Sequence, residues 1–390
     1  MNFEEICSFE TLYDAYLNAR EGKRKKSGCA EYEANALACT EKLSRMLLDG
    51  RYRPGPFHTF MVYEPKERMV QAPAFVDKVV LHALVDNELY GALTRSFIRG
   101  NHASQIGKGT HDGLMYLKQN LNRYYRRHGT ADGWGVKGDV RHFFASIDHD
   151  RLKEKLKIVC VRNRVDAKIY DLLCLYIDSA QGLPLGYQTS QLLALLYLDD
   201  FDHFVLEQLK PEGYGRYMDD FYMIFRTKEE AQCALDACYD YMARKGLELN
   251  QKTTIFPLKN GIDFIGFHTY LTESGAVVQK LRRDSTKRIS ARVRYWKKAY
   301  PKGEISKEKI IECFTAWDAH AAHGDTYTLR KKYADMVSEI IGEKIRPRRK
   351  INAPTGVTNM RRAKQQAAIE KKHRVEPTIT TRCYYEPPQE

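Results

Sequence analysis

Two adjacent carboxylates lie inside an apolar and aromatic stretch of the chain, GYGRYMDDFYMIF, which begins at Gly213. The apolar residues on both sides predict two strands joined by a two-residue turn, with Asp219 and Asp220 at the tip of the hairpin. Carboxylates at a hairpin tip can face a groove instead of the core, where they can act on a bound molecule. Taken alone, the motif is also compatible with an ordinary acidic turn on the surface.

A third acidic residue, Asp139, ends another apolar strand, WGVKGD. If the two strand units are neighbours in one sheet, Asp139 and Asp219 converge at its edge. Carboxylates that lie close together repel one another unless a cation neutralises them. Oxygen ligands of this kind suit Mg²⁺, and two such ions about 3.5–4 Å apart are a general device for in-line nucleotidyl transfer.

The elements that would position these carboxylates predict a mixed chain, α/β (α+β) in class. Helical periodicity covers residues 1 to about 50, and basic helices fill roughly residues 284 to 345. Between them, short strands with Pro and Gly at the corners alternate with helices.

Composition excludes several classes of protein. No apolar run approaches the ~20 residues that a membrane span needs, so no membrane partner is expected. The N-terminal MNFEEICSFE has neither the basic nor the apolar region of a secretory signal. The nine cysteines form no CxxC pair, which favours reduced thiols over a disulfide framework or a zinc site. We therefore expect a cytoplasmic protein.

The net charge of +13 indicates a polyanionic partner. Most of the excess lies between Lys344 and Arg374, where eleven Lys or Arg stand against one Glu. This segment is either a solvated tail that aids solubility or an arm that follows a phosphate backbone with salt-sensitive affinity. The residues that would contact nucleic acid in the second case are Arg346, Arg348, Arg349, Lys350, Arg361 and Arg362.

Five motifs, in order along the chain, resemble those of reverse transcriptases. They are DVRHFF (139–144), similar to the first metal-binding motif; GLPLGYQTSQ (182–191), similar to the template- and nucleotide-facing loop and helix; YMDD (217–220), similar to the catalytic hairpin; LNQKT (249–253), similar to the lysine motif; and FIGF (264–267), similar to the hairpin that grips the primer end. The resemblance implies a right-hand polymerase fold with fingers, palm and helical thumb.

The resemblance also implies roles for the carboxylates and their neighbours. Asp139 and Asp219 would ligate two Mg²⁺ ions, for which Mn²⁺ can substitute, with help from the carbonyl of Val140. Asp220 would complete the catalytic set by supporting the site. Phe144 would lie under the sugar as a steric gate against ribonucleotides, or else be a core aromatic residue.

Further contacts with the nucleotide and the primer are implied in the same way. Gly186 would let the backbone approach the incoming base pair, and Lys252 would lie near the pyrophosphate as a general acid. Arg68 and Lys108 would contact the triphosphate. For these three cations the alternative is a solvated surface charge. The implied primer grip consists of Phe264, Ile265, Gly266 and Phe267.

The finer resemblance is to the reverse transcriptases of diversity-generating retroelements. Leu185 after Pro184, and Gln191 after Ser190, are typical of that group, whereas many relatives have Gln and Ser-Pro at these places. An aliphatic side chain at 185 cannot hydrogen-bond the nucleotide and template, so we expect error-prone copying, especially at template adenines. His320 and His323 could indicate a metal site, but packing or RNA contact is the preferred interpretation.

These motifs divide the chain into an N-terminal helical segment (1–60), fingers and palm (61–275), a helical thumb (276–345) and a basic, disordered tail (346–390). The expected partners are a template RNA, a DNA or RNA primer, dNTPs and, by resemblance, a small oligomeric accessory protein. The expected source is a bacterium or a phage. A retron-type or phage-defence reverse transcriptase is the alternative, and a non-catalytic RNA-binding scaffold is a remote one.

Overall fold

The computed structural model describes residues 2–63 and 67–348, and within these ranges three antiparallel sheets are surrounded by helices. The predicted mixed α/β class is confirmed. Four helices come first, and the side chain of Ser8 caps the second of them by accepting from the Thr11 amide. They are α1 (Phe3–Ile6), α2 (Phe9–Ala19), α3 (Ser27–Ala34) and α4 (Ala36–Leu48).

A two-stranded hairpin follows, made of β1 (His58–Val62) and β2 (Arg68–Ala72). Helices α5 (Phe75–Leu84) and α6 (Tyr90–Thr94) come next, joined through a π-helical segment at Val85–Leu89. Helix α7 (Thr110–His128) then crosses to the central sheet and ends at Gly129, which adopts the left-handed conformation common at helix ends.

The central sheet has four strands in the order β4-β5-β3-β6. Its strands are β3 (Trp134–Asp139), β4 (Gly213–Tyr217), β5 (Asp220–Phe225) and β6 (Thr254–Pro257). Both faces are covered, because alternate residues of β5 enter different cores: Phe221 and Met223 the larger one, Tyr222 and Ile224 a second one beneath α7. This double burial explains why the strand sequences around the carboxylates are apolar throughout.

The helices on the larger core lie between and after these strands. They are α8 (His149–Arg162), α9 (Ala167–Ile177), α10 (Gln188–Tyr197), α11 (Asp199–Phe204) and α12 (Lys228–Arg244). Helix α12 begins with a capping box in which Thr227 and Glu230 bond each other's amides. Because β5 runs into this capped helix with only a short turn, the hairpin that carries Asp219 and Asp220 is fixed at its far end.

A three-stranded sheet and three helices complete the described chain. The strands are β7 (Ile262–Phe264), β8 (Phe267–Leu271) and β9 (Val277–Leu281), and the helices are α13 (Arg283–Ala299), α14 (Lys307–Ala321) and α15 (Tyr327–Ile341). Strand β9 pairs with β8 although it lies in the range 276–345 assigned to the thumb. The helical unit therefore begins at Arg283, where the sheet ends, and has its own apolar core around Trp296, Phe314 and Tyr333.

Two expectations about the whole chain can be compared with the described ranges. All eight cysteines there are free, as predicted; the ninth, Cys383, lies outside them. In the same ranges the model contains no helix with the length and apolar character of a membrane span.

Candidate active site

The predicted adjacency of the two acidic strand units is confirmed. Strands β3 and β5 are antiparallel neighbours, and Asp139 lies directly opposite Asp220. Asp219 lies in the two-residue connection between β4 and β5, preceded by Met218 at a φ of 57°. A left-handed φ is uncommon for a residue with a side chain. The tight turn is therefore held in place by its surroundings.

The carboxylates of Asp139 and Asp219 influence each other directly. Burial, together with the neighbouring Asp139 carboxylate, raises the pKa of Asp219 to about 6, so the ionised pair carries a repulsion. Asp139 is held from the other side: its Oδ2 accepts from the Asn250 amide group at 3.3 Å, and its carbonyl accepts from the Asn250 backbone N–H at 2.7 Å.

Asp220 has a different partner. The ammonium group of Lys137, on the neighbouring strand, forms an ion pair with it. Burial lowers the pKa of Lys137 to about 7, while Asp139 and Asp219 act in the opposite direction. Lys137 also lies 5.4 Å from the ring centroid of Phe264 on β7. Lys137 was not among the residues predicted from the sequence.

The turn itself is braced by a buried ion pair that the sequence analysis also missed. The guanidinium group of Arg216, on β4, donates to both oxygens of Asp202 at 2.6 and 2.5 Å, and both side chains are fully buried. Its remaining Nη1 donates to the carbonyl of Met218 at 2.7 Å. Arg216 thus connects the core directly to the residue that precedes Asp219. The sequence feature that could have indicated this ion pair is an arginine within an otherwise apolar strand.

The chemistry of the available donor atoms is compatible with a divalent cation at this place. Asp139 and Asp219 supply only oxygen atoms, and a cation would relieve the repulsion that raises the pKa of Asp219. No three His, Cys, Asp or Glu side chains converge as a ready metal cage anywhere in residues 2–63 and 67–348. Mg²⁺ is usually bound by one or two carboxylates and takes its remaining ligands from water and substrate. Two carboxylates therefore suit Mg²⁺ better than an ion that needs all of its ligands from protein side chains.

A cleft of about 900 Å³ opens beside the carboxylates and reaches the helical unit. Asp139, Asp220 and Lys252 line it on one side, and Arg282, Arg288 and His320 on the other. Lys252 is exposed, and its amide donates to the side chain of Asn250, the residue that holds Asp139. Its position in the cleft is compatible with the predicted contact to a pyrophosphate, which stays a prediction.

The predicted primer grip is a hairpin at the edge of this cleft. Its turn consists of Ile265 and Gly266, at φ of 46° and 81°, and both residues line the cleft. The flanking Phe264 and Phe267 are at most 1% exposed. Burial assigns the two phenylalanines to anchoring the hairpin, so any contact with a primer falls to the turn.

On the opposite side of the catalytic turn, residues 182–191 form the loop before α10 and its first turn. Leu185 is 43% exposed. Gly186 has a reason for its identity that the sequence did not show: a Cβ there would lie 2.0 Å from the backbone oxygen of Gln71 on β2. Gln191 is exposed and accepts from the hydroxyl of Ser104. The predicted nucleotide contacts of these three residues are not tested by this geometry.

Phe144 lies in a 3₁₀ turn (Phe143–Ser146) directly after the strand that carries Asp139. Its ring is half-buried and meets Phe143 edge to face at 5.6 Å, and its carbonyl accepts from the Leu183 amide. Phe144 therefore joins the first motif to the loop that contains Leu185. The steric-gate role stays a prediction.

The structure gives different information on the two residues predicted to contact the triphosphate, Lys108 and Arg68. The ammonium group of Lys108 donates to the carbonyls of Asn101 and Ile98 at 2.8 and 3.1 Å, and burial lowers its pKa to about 8. In this conformation Lys108 stabilises its own loop, and a triphosphate contact would require its ammonium group to turn outward. Arg68 begins strand β2, and its side chain lies outside the described part of the structure.

Two of the six predicted tail residues can be placed. Arg346 and Arg348 are exposed, and the backbone at Arg348 is held between two buried side chains: its amide donates to Asp318, and its carbonyl accepts from Arg330. The chain therefore leaves the helical unit from a fixed point. Arg349, Lys350, Arg361 and Arg362 lie outside the described residues.

His320 and His323 have a third partner that sequence reasoning missed. The ring of His111, at the start of α7, stacks on that of His323 with centroids 3.2 Å apart, and His320 packs on Phe267. Burial lowers the pKa of His323 to about 4, helped by the other two histidines. These ring contacts show packing at both histidines, and an RNA contact stays a prediction.

Comparison with known proteins gives a family match over residues 64–269, to the reverse transcriptase (RNA-dependent DNA polymerase) family. A group II intron-encoded protein, LtrA of Lactococcus lactis, is 28% identical over 179 residues, which cover 43% of this chain and 28% of the relative. Protein YkfC of Escherichia coli is 24% identical over 270 residues, covering 56% of this chain and 68% of the relative. The chain thus spans just over a quarter of the length of the Lactococcus protein.

Among solved structures, apo telomerase from Candida tropicalis aligns with a TM-score of 0.45 at 13% identity, covering 83% of this chain and 60% of that one. Telomerase from Candida albicans in complex with a fragment of telomeric RNA has the same TM-score at 11% identity, with coverages of 74% and 62%. The family match runs from just before β2 into β8 and includes the β4–β5 hairpin, in agreement with the right-hand polymerase fold predicted from the motifs.

Proposed function

The chain belongs to the reverse transcriptase family, and we propose that it is an RNA-directed DNA polymerase that copies a template RNA into cDNA from dNTPs. The observation that carries the proposal is the carboxylate cluster beside a large cleft: Asp139 and the facing Asp220 line the cleft, and Asp139 is close enough to Asp219 to raise its pKa. Half-buried carboxylates that repel each other are costly to maintain. Such a cluster is useful where cations must be bound next to phosphate groups.

Asp139 and Asp219 would hold the cations, with the carbonyl of Val140 as a further oxygen. Two Mg²⁺ ions, or Mn²⁺ in their place, supply activation of the primer 3′-hydroxyl and charge neutralisation of the leaving pyrophosphate when bound. The chain's own part is to orient: Asn250 holds Asp139, and Arg216 holds the turn that carries Asp219. Preorganised ligands of this kind cost no rearrangement during the reaction.

Other residues would position substrate. Phe144 would limit the space under the sugar, and Lys252 would approach the pyrophosphate from its exposed position in the cleft. Gly186 keeps the loop beside it against β2, near the place where the incoming base pair would lie. Exposed cations of α13, together with the basic segment after Arg346, would contact phosphates of template and primer with salt-dependent affinity.

The finer proposal is error-prone copying in a diversity-generating retroelement, with cDNA used in mutagenic retrohoming. Support comes from Leu185 and Gln191, the residues that depart from the commoner pattern, and from the exposure of the Leu185 side chain. A small oligomeric accessory protein would be a further partner in a bacterial cytoplasm. Retron-type or defence enzymes remain the alternative within the same chemistry.

The proposal is tested by primer extension on an adenine-rich RNA template with Mg²⁺ and four dNTPs. Asp219→Ala should reduce extension at least about 100-fold, because a metal ion contributes several kcal/mol of transition-state stabilisation. The matched control is Asp150→Ala, on α8, whose carboxylate is 97% exposed and forms only a surface ion pair. This control should extend primers like the wild type.

The outcomes separate the candidate functions. Extension that depends on Asp219, with errors concentrated opposite adenine, supports the diversifying enzyme. Faithful extension that depends on Asp219 supports the polymerase and favours the retron or defence class. Equal extension by both variants would overturn the assignment of Asp219 to the active site. No extension by the wild type, even with its cognate RNA and accessory protein, would favour the non-catalytic scaffold.

A further inference from the structure

The carboxylate cluster already contains a cation of its own, Lys137. Lys137 is two residues before Asp139 on β3 and therefore on the same face of the sheet. In the pairing of β3 with β5, Lys137 lies opposite Tyr222 and diagonal to Asp220. Diagonal neighbours on one face are within reach of a long side chain, and the ammonium group of Lys137 indeed pairs with Asp220.

The surroundings of Lys137 fix its ammonium group at this place. The side chain is only 19% exposed, and its charged end lies against the face of Phe264 on β7. The carboxylates of Asp139, Asp219 and Asp263 stabilise the ammonium form, whereas the charge of Arg282 opposes it. A buried lysine of this kind is costly unless it has partners. Here the partners are the residues that would hold the catalytic ions.

We propose that Lys137 is a positioning residue that serves as the internal counter-ion of the carboxylate cluster, holding Asp220 aside and competing with divalent cations for Asp139 and Asp219. The inference rests on the proposed function. Because Lys137 pairs with Asp220, Asp139 and Asp219 are the two carboxylates left to hold cations. This pairing also explains how the ion-free protein tolerates the cluster.

The inference is tested with Mn²⁺ as the probe, titrated by electron paramagnetic resonance without primer or nucleotide. Lys137→Met should bind Mn²⁺ about tenfold more tightly than the wild type, because a unit positive charge within a few ångströms of the ion is removed. Lys137→Arg keeps the charge and should restore the wild-type affinity. Asp139→Asn combined with Asp219→Asn provides the blank for ions bound elsewhere.

The matched control is Lys155→Met. Lys155, on α8, forms an ion pair with Asp200 at 2.8 Å and does not line the cleft. Its loss should change Mn²⁺ affinity less than about twofold, because its charge lies outside the cluster. A similar gain in Lys155→Met and Lys137→Met would mean that net charge alone is measured, and would overturn the inference.

The pairing with Asp220 is tested separately, by thermal unfolding in EDTA. Lys137→Met should lower the Tm, because three carboxylates are left without their cation, and adding Asp220→Asn should recover part of the loss. Lys137→Gln, which can still hydrogen-bond, guards against a variant that fails to fold. If Asp220→Asn recovers none of the Tm lost in Lys137→Met, the pairing with Asp220 is overturned. The same holds if Asp263→Asn recovers the Tm as well as Asp220→Asn does.

The two proposals fail in distinguishable ways. Unchanged or weaker Mn²⁺ binding by Lys137→Met overturns the counter-ion role even if primer extension depends on Asp219. Tighter binding as expected, with no extension under any condition, leaves Lys137 in its role and removes the polymerase. Absence of Mn²⁺ binding in every variant overturns the counter-ion role whatever the extension assay gives.

Discussion

Leu185 lies 43% exposed beside Gly186, in the loop that leads to α10. Its aliphatic side chain can neither donate nor accept a hydrogen bond at the position where relatives carry an amide. We expect Leu185→Gln to reduce misincorporation opposite template adenine about fivefold, because one oriented hydrogen bond contributes about 1 kcal/mol. Sequencing of primer-extension products measures the change.

The control for this substitution is Leu185→Met, which keeps an apolar side chain of similar volume without an amide group. It should leave the misincorporation spectrum as it is in the wild type. If Leu185→Gln gives that same spectrum, the side chain at 185 does not set accuracy, and the link between this residue and error-prone copying is wrong.

Single residues differ in how far the sequence reveals them. Asp139 and Asp219 could be located because each follows an apolar strand pattern, and strand ends and tight turns are local features. The reason for glycine at 186 could not be predicted, since it depends on the backbone of Gln71, far away in the chain. The pairing of Lys137 with Asp220 could not be predicted either, because it depends on the register of β3 against β5, which no local pattern specifies.

The β4–β5 hairpin depends on the buried pair between Arg216 and Asp202. Tyr214 adds a third bond, since its hydroxyl donates to Asp202 at 2.6 Å. The sequence shows an arginine in an otherwise apolar strand and an aspartate in a short acidic helix, but their contact, fourteen residues apart, requires α11 to lie across the sheet. A paired and fully bonded buried charge is tolerated, whereas one left alone is costly.

Arg216→Met should therefore lower the free energy of unfolding by about 3–5 kcal/mol, because Asp202 keeps a buried charge without its partner. Combining it with Asp202→Asn should recover a large part of that loss. Urea unfolding followed by fluorescence measures both. In addition, Asp219 loses the bond that holds Met218, so extension by any folded Arg216 variant should fall.

The comparison variant for the hairpin is Arg127→Met, which removes a surface pair with Glu212 at the end of α7. An exposed pair contributes at most about 1 kcal/mol. If Arg216→Met costs no more than Arg127→Met, the buried pair does not hold the hairpin. That result would leave the left-handed φ of Met218 without its explanation.

The helical unit meets the rest of the molecule at the histidine cluster. His111 begins α7, which packs on the central sheet, whereas His320 and His323 lie at the end of α14. The cleft with the carboxylates has His320 on its wall. The position of the helical unit beside the cleft therefore depends partly on three rings that pack in their neutral form.

This contact makes stability depend on pH. Burial lowers the pKa of all three histidines, and that of His323 to about 4. A lowered histidine pKa means that the unfolded chain, at about 6.5, takes up the proton first. Stability is therefore complete above about pH 6.5 and is lost as the pH falls from there toward 4. Asp112, on the next position of α7, does not offset the charge, because it is paired with Arg99 and His102.

We expect the Tm to fall by a few degrees between pH 7 and pH 5 in the wild type, and by less when His323 is replaced by Asn. Differential scanning fluorimetry in matched ionic strength measures the difference. His142→Asn is the control, because His142 is exposed, and Asn tolerates its φ of 47°. Equal pH dependence in both variants would show that the cluster is not the sensitive contact. If the pH dependence of the Tm is smaller in His323→Asn alone, protonation weakens the contact between α7 and the helical unit. The reason is that the charged rings of His111 and His323 would repel each other across this contact.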